Sequence, residues 1–314
     1  MDPIVTLDHG ITRIDAGYVR PALAAFYLVV EQGRAAFIDT GTSHALPRAL
    51  AALERLGLDR DRVDYVMPTH VHLDHGGGAG VLMAAFPAAR LVVHPRGAGH
   101  LVDPTRLIAG PTAVYGAGEM AQRFGEVVPV PAARVIESRD GMEIDLAGRP
   151  LRLLHTEGHA RHHYCVWDAA SRGIFSGDTF GISYREFDSA RGPFLFATTT
   201  PTQFDPDAWL ATVDRLMALA PAAVYLTHFG RVGDLDRLAD DLRDDLRRCR
   251  DLALGAAAAA DPQATIRAGL QARFLARLQA HGCTLPREAI LDLLRMDLDL
   301  NSQGLAIWLQ RRAR

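Results

Sequence analysis

Lysine is absent from this chain of 314 residues, so all 34 basic residues other than histidine are arginines. Schiff-base enzymes and nucleotide sites with a Walker-type phosphate loop both depend on a lysine amine. The sequence therefore excludes these two kinds of chemistry. A genome-wide bias in codon use is sufficient to explain the missing residue, so its absence need not reflect the function.

Cysteine is also scarce. Cys165, Cys249 and Cys283 lie far apart in the sequence, their number is odd and none belongs to a CxxC pair. This pattern indicates neither a disulfide framework nor a cysteine zinc site, and it favours reduced thiols in a reducing compartment. The first residues carry neither the basic nor the apolar part of a secretory signal, so a cytoplasmic location is predicted.

Long hydrophobic runs are missing as well. Each apolar run is interrupted before the roughly 18 residues that a membrane span requires, so no membrane partner is expected. The net charge of −3 and the lack of a basic run predict that nucleic acid is not a partner either. The remaining composition, with 48% hydrophobic and 23% charged residues, is that of an ordinary globular protein.

Hydrophobic periodicity divides the first two thirds of the chain into strands and helices. Residues 11–40 are predicted to form strands around the turn Gln32-Gly33-Arg34. A helix is predicted at 45–56, with Ser43 as a candidate N-cap. The other predicted helices are 76–86 and 207–220, and the other predicted strands are 64–69, 91–94, 142–146, 151–155, 164–167, 173–176 and 223–227.

Two segments and the C-terminal part differ from the rest in composition and in hydrophobic periodicity. Residues 97–137 are predicted to form short helices and loops, with Pro104, Pro111, Pro129 and Pro131 as breakers, and residues 181–203 are predicted to form a loop. Residues 234–314 are helical by pattern, with breaks at 255–262 and 281–286. Strands in a run that then alternate with helices favour two sheets flanked by helices. We therefore expect a catalytic domain at 1–233 and a helical C-terminal appendage at 234–314, which packs on that domain or forms a homodimer.

The strongest chemical signal is the segment Thr69-His70-Val71-His72-Leu73-Asp74-His75. It follows a predicted strand and precedes a helix that begins with glycines. In an extended segment His70 and His72 point to the same side. Imidazole and carboxylate ligands suit zinc, iron or manganese better than magnesium or calcium. Four such groups are costly to bury without a metal, so a metal site is predicted.

The pattern HxHxDH at residues 70–75 resembles the signature of the metallo-β-lactamase superfamily. Three further motifs of that superfamily follow in order, each at the end of a predicted strand: Gly158-His159, Ser176-Gly177-Asp178 and Leu226-Thr227-His228. The resemblance covers about residues 11–232 and implies an α/β fold of the αββα four-layer sandwich type. The superfamily often has proline before the glycine of its Gly-His motif. This chain has Glu157 there, which affects the rigidity of the loop more than metal binding.

The resemblance implies two divalent metal ions, with zinc as the first choice and iron or manganese as alternatives. The first ion would be held by His70, His72 and His159, the second by Asp74, His75 and His228, and Asp178 would bridge the two. A hydroxide shared by two such ions is a nucleophile at neutral pH, because coordination lowers the pKa of water. Asp74 is predicted to act both as a metal ligand and as a catalytic residue.

Residues around these ligands are candidates for supporting roles. Asp39 matches an aspartate that, in the superfamily, orients a metal ligand or its loop. Tyr184 lies on a loop expected to overhang the metals and is a candidate catalytic residue that steadies an oxyanion. Arg185 is a candidate contact for an anionic group of the substrate. His162 and His163 either contact the site or are simply packed.

These motifs predict an enzyme, namely a metal-dependent hydrolase of a small ester-like substrate, a thioester or a lactone. The filled ligand positions and the helical appendage fit the glyoxalase II-like and lactonase-like branches. An alternative is an oxidoreductase of the persulfide dioxygenase type, with one iron held by His70, His159 and Asp178. A metal-binding regulatory protein with weak activity is a further alternative. The acidic charge argues against a nuclease, and the lack of an export signal argues against β-lactam hydrolysis.

Overall fold

Two β-sheets carry the strands of the computed structural model, which describes residues 2–199 and 201–312. The first sheet has seven strands in chain order: β1 Ile4–Thr6, β2 Ile11–Asp15, β3 Ala25–Glu31, β4 Arg34–Ile38, β5 Val63–Met67, β6 Arg90–Val93 and β7 Val135–Glu137. Strands β1 to β4 pair antiparallel, and β4 to β7 pair parallel. The predicted hairpin around Gln32-Gly33-Arg34 is confirmed by β3 and β4.

The second sheet has six strands in the order β13-β12-β11-β10-β9-β8. Their bounds are β8 Glu143–Leu146, β9 Arg149–His155, β10 Tyr164–Asp168, β11 Gly173–Gly177, β12 Ala223–Leu226 and β13 Gly230–Val232. Strands β8 to β11 are antiparallel, whereas β12 lies parallel to β11. The end of β12 therefore points in the same direction as the end of β11, so the segments that follow these two strands leave the sheet at one edge.

The two sheets share one hydrophobic core. Tyr27 of the first sheet packs edge-on against Phe175 and Tyr225 of the second, with ring centroids 5.2 and 5.6 Å apart. The Tyr27 hydroxyl donates a hydrogen bond to the Leu226 carbonyl oxygen at 2.5 Å, which satisfies the one polar atom of that buried ring. Because β3 is buried on both of its faces over residues 25–29, its sequence is a continuous apolar run.

The chain is organised into two compact units. The first contains the residues up to His155, His162–Gly177 and Ala222–Arg231, and the second contains Thr156–Arg161, Asp178–Pro221 and the residues from Val232 onward. The helices of the first unit are α1 Leu46–Arg55, α2 Ala79–Ala85, α3 Pro95–Val102, α4 Thr105–Tyr115 and α5 Ala117–Phe124. The predicted domain boundary at residues 233 and 234 stays a prediction.

The second unit is helical. Its helices are α6 Pro206–Met217, α7 Leu235–Gly255, α8 Pro262–His281, α9 Arg287–Leu293 and α10 Arg295–Arg312. Asp205 caps α6 by accepting from the Asp207 and Ala208 N–H groups, and Asp261 caps α8 by accepting from Ala264 N–H. Gly282 ends α8 in the left-handed conformation, with φ +86°. The breaks predicted at 255–262 and 281–286 are confirmed, as is the helical C-terminal region.

Two local predictions are wrong. Ser43 does not cap α1, because it is the first residue of a short 3-10 turn and its hydroxyl donates to the Gly77 and Glu126 carbonyl oxygens. Pro111 does not interrupt the helical structure, because α4 continues through it. The α/β class with two sheets flanked by helices is confirmed. In the described residues, none of the helices has the length and hydrophobicity needed to cross a membrane.

Candidate metal centre

The histidine-rich loop at residues 70–75 connects β5 to α2 through tight turns. The backbone N–H groups of His75 and Gly76 both donate to the His72 carbonyl oxygen, at 3.0 and 2.8 Å. A Cβ atom on Gly78 would lie 2.8 Å from the Thr42 carbonyl oxygen, which is closer than real Cβ atoms approach. The glycines after the motif are therefore needed for close packing of the backbone.

Three predicted ligands lie together within the first unit. One ligand atom from each of Asp74, His75 and His228 lies within 4.8 Å of the others, an arrangement that could hold a metal ion. The Asp74 Oδ2 atom is 3.3 Å from His228 Nε2 and 3.8 Å from His75 Nε2. His75 is fully buried, whereas the Asp74 side chain is 23% exposed. Asp74 is therefore the member of this group that solvent can reach.

The other ring nitrogen of each histidine is held by an oxygen atom. His75 Nδ1 lies 3.0 Å from Asp39 Oδ2, and His228 Nδ1 lies 2.6 Å from the Leu23 carbonyl oxygen. A carboxylate and a carbonyl can only accept, so both Nδ1 atoms carry the hydrogen. In each neutral ring Nε2 then carries the lone pair, which is the arrangement found in histidines that bind metals.

Asp39 joins three parts of the first unit. Its Oδ1 atom accepts hydrogen bonds from the backbone N–H and the hydroxyl of Thr69, at 2.7 and 2.8 Å. Its Oδ2 atom accepts from His75 and, at 2.6 Å, from the Thr227 hydroxyl. The backbone of Asp39 is left-handed, with φ +59°, a conformation that aspartate tolerates better than most residues. Asp39 therefore contacts His75, one of the predicted ligands, and its role in orienting that residue stays a prediction.

A second group of imidazoles surrounds His70. His70 Nε2 lies 2.8 Å from His72 Nδ1, and His70 Nδ1 lies 3.2 Å from the Thr69 hydroxyl. The His163 ring is 4.9 Å from the His70 ring, and the His162 ring is 5.5 Å from the His72 ring. His162 and His163 are both buried, so the structure places them beside two predicted ligands.

The second unit contains the other two predicted ligands. His159 Nε2 lies 3.4 Å from Asp178 Oδ2, and both side chains are buried. His159 Nδ1 donates to the Thr198 carbonyl oxygen at 3.1 Å. His159 therefore has the same tautomer as His75 and His228, and it directs Nε2 towards a carboxylate.

Gly158 determines the path of the chain into His159. Its φ is +126°, and a Cβ atom at this position would lie 2.3 Å from Trp209 Cβ in α6. The Gly158 carbonyl oxygen accepts from Asp205 N–H at 2.8 Å, and the Trp209 indole donates to the Thr179 carbonyl oxygen at 2.6 Å. The start of α6 therefore holds the turns next to His159 and Asp178.

Tyr184 and Arg185 both contact other residues of the second unit. The Tyr184 hydroxyl donates to the Asp297 carboxylate, at 2.9 Å from Oδ2 and 3.0 Å from Oδ1, and both residues are buried. Arg185 contacts the carbonyl oxygen and the hydroxyl of Ser183 and lies 3.3 Å from Asp188. An oxyanion-stabilising role for Tyr184 requires its hydroxyl to leave Asp297, and that role stays a prediction.

The donor atoms fit a divalent transition-metal ion. They are imidazole nitrogens and carboxylate oxygens, and three of the histidines have a fixed tautomer. The Leu23 and Thr198 carbonyl oxygens, which accept from His228 and His159, could not have been identified from the sequence, because a backbone oxygen gives no sequence signal. The assignment of all seven ligands to one two-metal site stays a prediction.

A sequence model of the metallo-beta-lactamase superfamily matches residues 20–228. The chain belongs to this superfamily. One relative, a metallo-beta-lactamase fold-containing protein of Sulfurisphaera tokodaii, is 28% identical over 233 residues, which are 71% of this chain and 80% of that protein. Another, named hydroxyacylglutathione hydrolase, from Acidiphilium cryptum, is 31% identical over 220 residues, which are 69% of this chain and 66% of that protein.

A solved structure of an archaeal metallo-beta-lactamase superfamily protein, from Sulfolobus tokodaii, has the same fold. Its TM-score is 0.67 at 22% identity, and the alignment covers 95% of this chain and 99% of that chain. An alignment over so much of the chain extends into residues 234–314. The helical C-terminal region is therefore part of the fold that the two proteins share.

Proposed function

We propose that this superfamily member is a metallo-hydrolase of a small ester-like substrate, a thioester or a lactone. The observation that carries the proposal is the group of Asp74, His75 and His228, in which both imidazoles hold their hydrogen on Nδ1 and leave Nε2 for a metal. The relative named hydroxyacylglutathione hydrolase supports an acyl thioester as the substrate class.

The proposed cofactors are two divalent metal ions, with zinc as the first choice. The proposed ligands are His70, His72, His159, Asp178, Asp74, His75 and His228. When bound, the metals would lower the pKa of a water molecule and polarise the carbonyl group of the substrate.

The residues of the chain supply orientation and charge. Asp39 and the Leu23 carbonyl oxygen hold His75 and His228 in one tautomer, so neither ring must rotate or lose a proton before it binds a metal. Asp74 is the partly exposed carboxylate of the group, and we assign it the role of general base, which accepts the proton that an attacking water molecule loses.

The predicted homodimer depends on residues 234–314 rather than on the metal site. Light scattering of the full chain tests whether the protein is a monomer or a dimer.

The test combines metal analysis with two assays. Protein purified without added metal should contain about two divalent ions per chain. The parent should hydrolyse a hydroxyacylglutathione or a simple lactone, and His75→Ala should lose kcat on the order of 10²-fold, as expected when a preorganised electrostatic element is removed. His94→Asn, which replaces a buried histidine outside the ligand set, is the matched control and should keep its metal and its kcat.

Oxygen uptake tests the alternative function, an oxidoreductase. If the parent hydrolyses neither substrate, but consumes oxygen with a persulfide and still does so after His75→Ala, the protein is an oxidoreductase with a single iron. If neither activity is found and the metal content remains near two, the hydrolase proposal is also wrong, and a metal-binding regulatory protein is the better description.

A further inference from the structure

Asn301 is the only asparagine in the sequence, and it lies buried in α10. Its side-chain amide binds the backbone on both sides of Thr198. The Oδ1 atom accepts from Thr199 N–H at 2.7 Å, and Nδ2 donates to the Ala197 carbonyl oxygen at 3.3 Å. The Thr199 hydroxyl also donates to the Asn301 carbonyl oxygen, at 3.1 Å. A neutral side chain with both a donor and an acceptor is required for this pair of bonds.

Two other helices of the second unit hold the same segment. Asp245 of α7 accepts from Ala197 N–H at 2.9 Å, and Arg277 of α8 donates to the Leu195 carbonyl oxygen at 2.8 Å. Arg277 also lies 2.7 Å from the second oxygen of Asp245, whose side chain is 2% exposed. Residues 195–199 are irregular in structure, yet side chains of three helices fix their backbone.

The Thr198 carbonyl oxygen, between the two bonds to Asn301, is the acceptor for His159 Nδ1 at 3.1 Å. His159 Nε2 then lies 3.4 Å from Asp178. Hydrogen bonds thus connect α10 to the imidazole through one peptide group. If that peptide rotated, His159 would lose the acceptor that fixes its tautomer and ring orientation.

We propose that Asn301 is a positioning residue for His159: it fixes the Thr198 carbonyl group and thereby presents His159 Nε2 to the metal. The inference rests on the proposed function, in which His159 is a ligand. It gives the helical C-terminal region a role in the metal centre, through a residue that lies 102 positions from Thr199 in the sequence.

Zinc affinity, measured by competition with a chromogenic chelator, tests this role without an activity assay. Asn301→Ala should weaken zinc binding by about 10- to 100-fold, the usual effect of losing a group that orients a ligand. Asn301→Asp keeps the oxygen that accepts from Thr199 but places a second acceptor against the Ala197 carbonyl oxygen, so it should also weaken zinc binding. Leu305→Ala removes a fully buried side chain from the same helix and should lower the melting temperature while keeping the affinity within about twofold.

Because the chain has a single asparagine, labelling with ¹⁵N-asparagine gives one side-chain amide nitrogen signal, with its pair of protons, in an NMR spectrum. Addition of zinc to the metal-free protein should shift this signal in the parent and leave it unchanged in His159→Ala. The double variant His159→Ala/Asn301→Ala should bind zinc no more weakly than His159→Ala alone, because both changes act on one ligand.

The outcomes separate the two proposals. If His159→Ala binds zinc as tightly as the parent, the ligand assignment of the proposed function fails. If His159→Ala loses affinity but both Asn301 variants keep it, or lose it only as much as Leu305→Ala does, Asn301 has a structural role alone and the positioning role is wrong. An unshifted amide signal in the parent on zinc addition leads to the same conclusion.

Discussion

Asp39 Oδ2 and His75 Nδ1 are joined by a hydrogen bond of 3.0 Å across 36 residues of sequence. The same carboxylate accepts from Thr69 and Thr227, so one buried anion connects the end of β4 with the histidine-rich loop and with the segment that follows β12. His75 is thereby oriented by a residue that is itself fixed at three other points.

We expect Asp39→Asn to weaken zinc binding by about 10- to 100-fold. Asparagine tolerates the left-handed backbone of this position, so the loss comes from hydrogen bonding: the new amide group places a donor where the carboxylate accepts four bonds. Chelator competition measures the affinity. Asp168→Asn changes another buried aspartate, one bound by Arg149, and should lower stability only. Unchanged zinc affinity in Asp39→Asn would remove its orienting role.

Gly158→Ala should destabilise the protein and weaken zinc binding. The added Cβ would lie 2.3 Å from Trp209, and alanine is strained at a φ of +126°. A cost of about 1–3 kcal/mol or more is expected in urea unfolding. Gly99→Ala is the control, since a Cβ there meets no atom within 4 Å and Gly99 lies in α3. That variant should be neutral or more stable by about 0.5–1 kcal/mol. Parent-like zinc binding by Gly158→Ala would show that the turn does not position His159.

His94 should make folding stability depend on pH in the acidic range. Burial, followed by the charges of His155 and Arg96, lowers the pKa of His94 from 6.5 to about 4. Between these two pH values the unfolded chain binds a proton that the folded chain does not, so stability decreases as the pH falls from 6.5 towards 4. The slope from this one group approaches about 1.4 kcal/mol per pH unit.

His94→Asn removes this titration and keeps an oxygen that can accept from Arg96 N–H at the start of α3. Urea unfolding of the metal-free parent and variant at pH 7 and pH 5 measures the difference. The variant should lose less stability between the two pH values. Equal losses would mean that His94 takes up its proton in the folded protein as readily as in the unfolded chain.

Tyr184→Phe should lower stability by about 1–3 kcal/mol, because it removes a donor from the buried Asp297 carboxylate. Tyr164→Phe removes a hydroxyl that donates to the neutral Val92 carbonyl oxygen, and it should cost less. The kcat of Tyr184→Phe decides the role that the sequence predicts for this hydroxyl. A decrease on the order of 10²-fold supports oxyanion stabilisation, and an unchanged kcat limits Tyr184 to its contact with Asp297.

The parts of the fold that the sequence predicted have strong local signals. The hairpin of β3 and β4, and the breaks on either side of α8, follow from apolar periodicity and from turn residues. The short strands β1, β7 and β13 were not predicted, because three residues are too few to show a period. The prediction that Pro111 breaks a helix rested on proline's preference for loops and first turns, and it is wrong because α4 continues through this residue.

The predicted ligands were accessible from sequence because their motifs are compact and each follows a strand. The groups that orient them were not, apart from Asp39. Leu23 and Thr198 act through backbone oxygens, which every residue possesses. Asn301 contacts Thr199 across 102 residues, and no local pattern predicts a contact at such a distance.

The bond between Asp39 and Thr227 has a consequence for the order of events during protein synthesis. Its partners are 188 residues apart, so the carboxylate stays incompletely bonded until the ribosome has released the segment that follows β12. His228 reaches the Leu23 carbonyl oxygen at the same stage, across 205 residues. In the proposed metal site, tight binding would therefore require closure of the sheet, and a nearly complete chain would acquire the ion rather than an early folding intermediate.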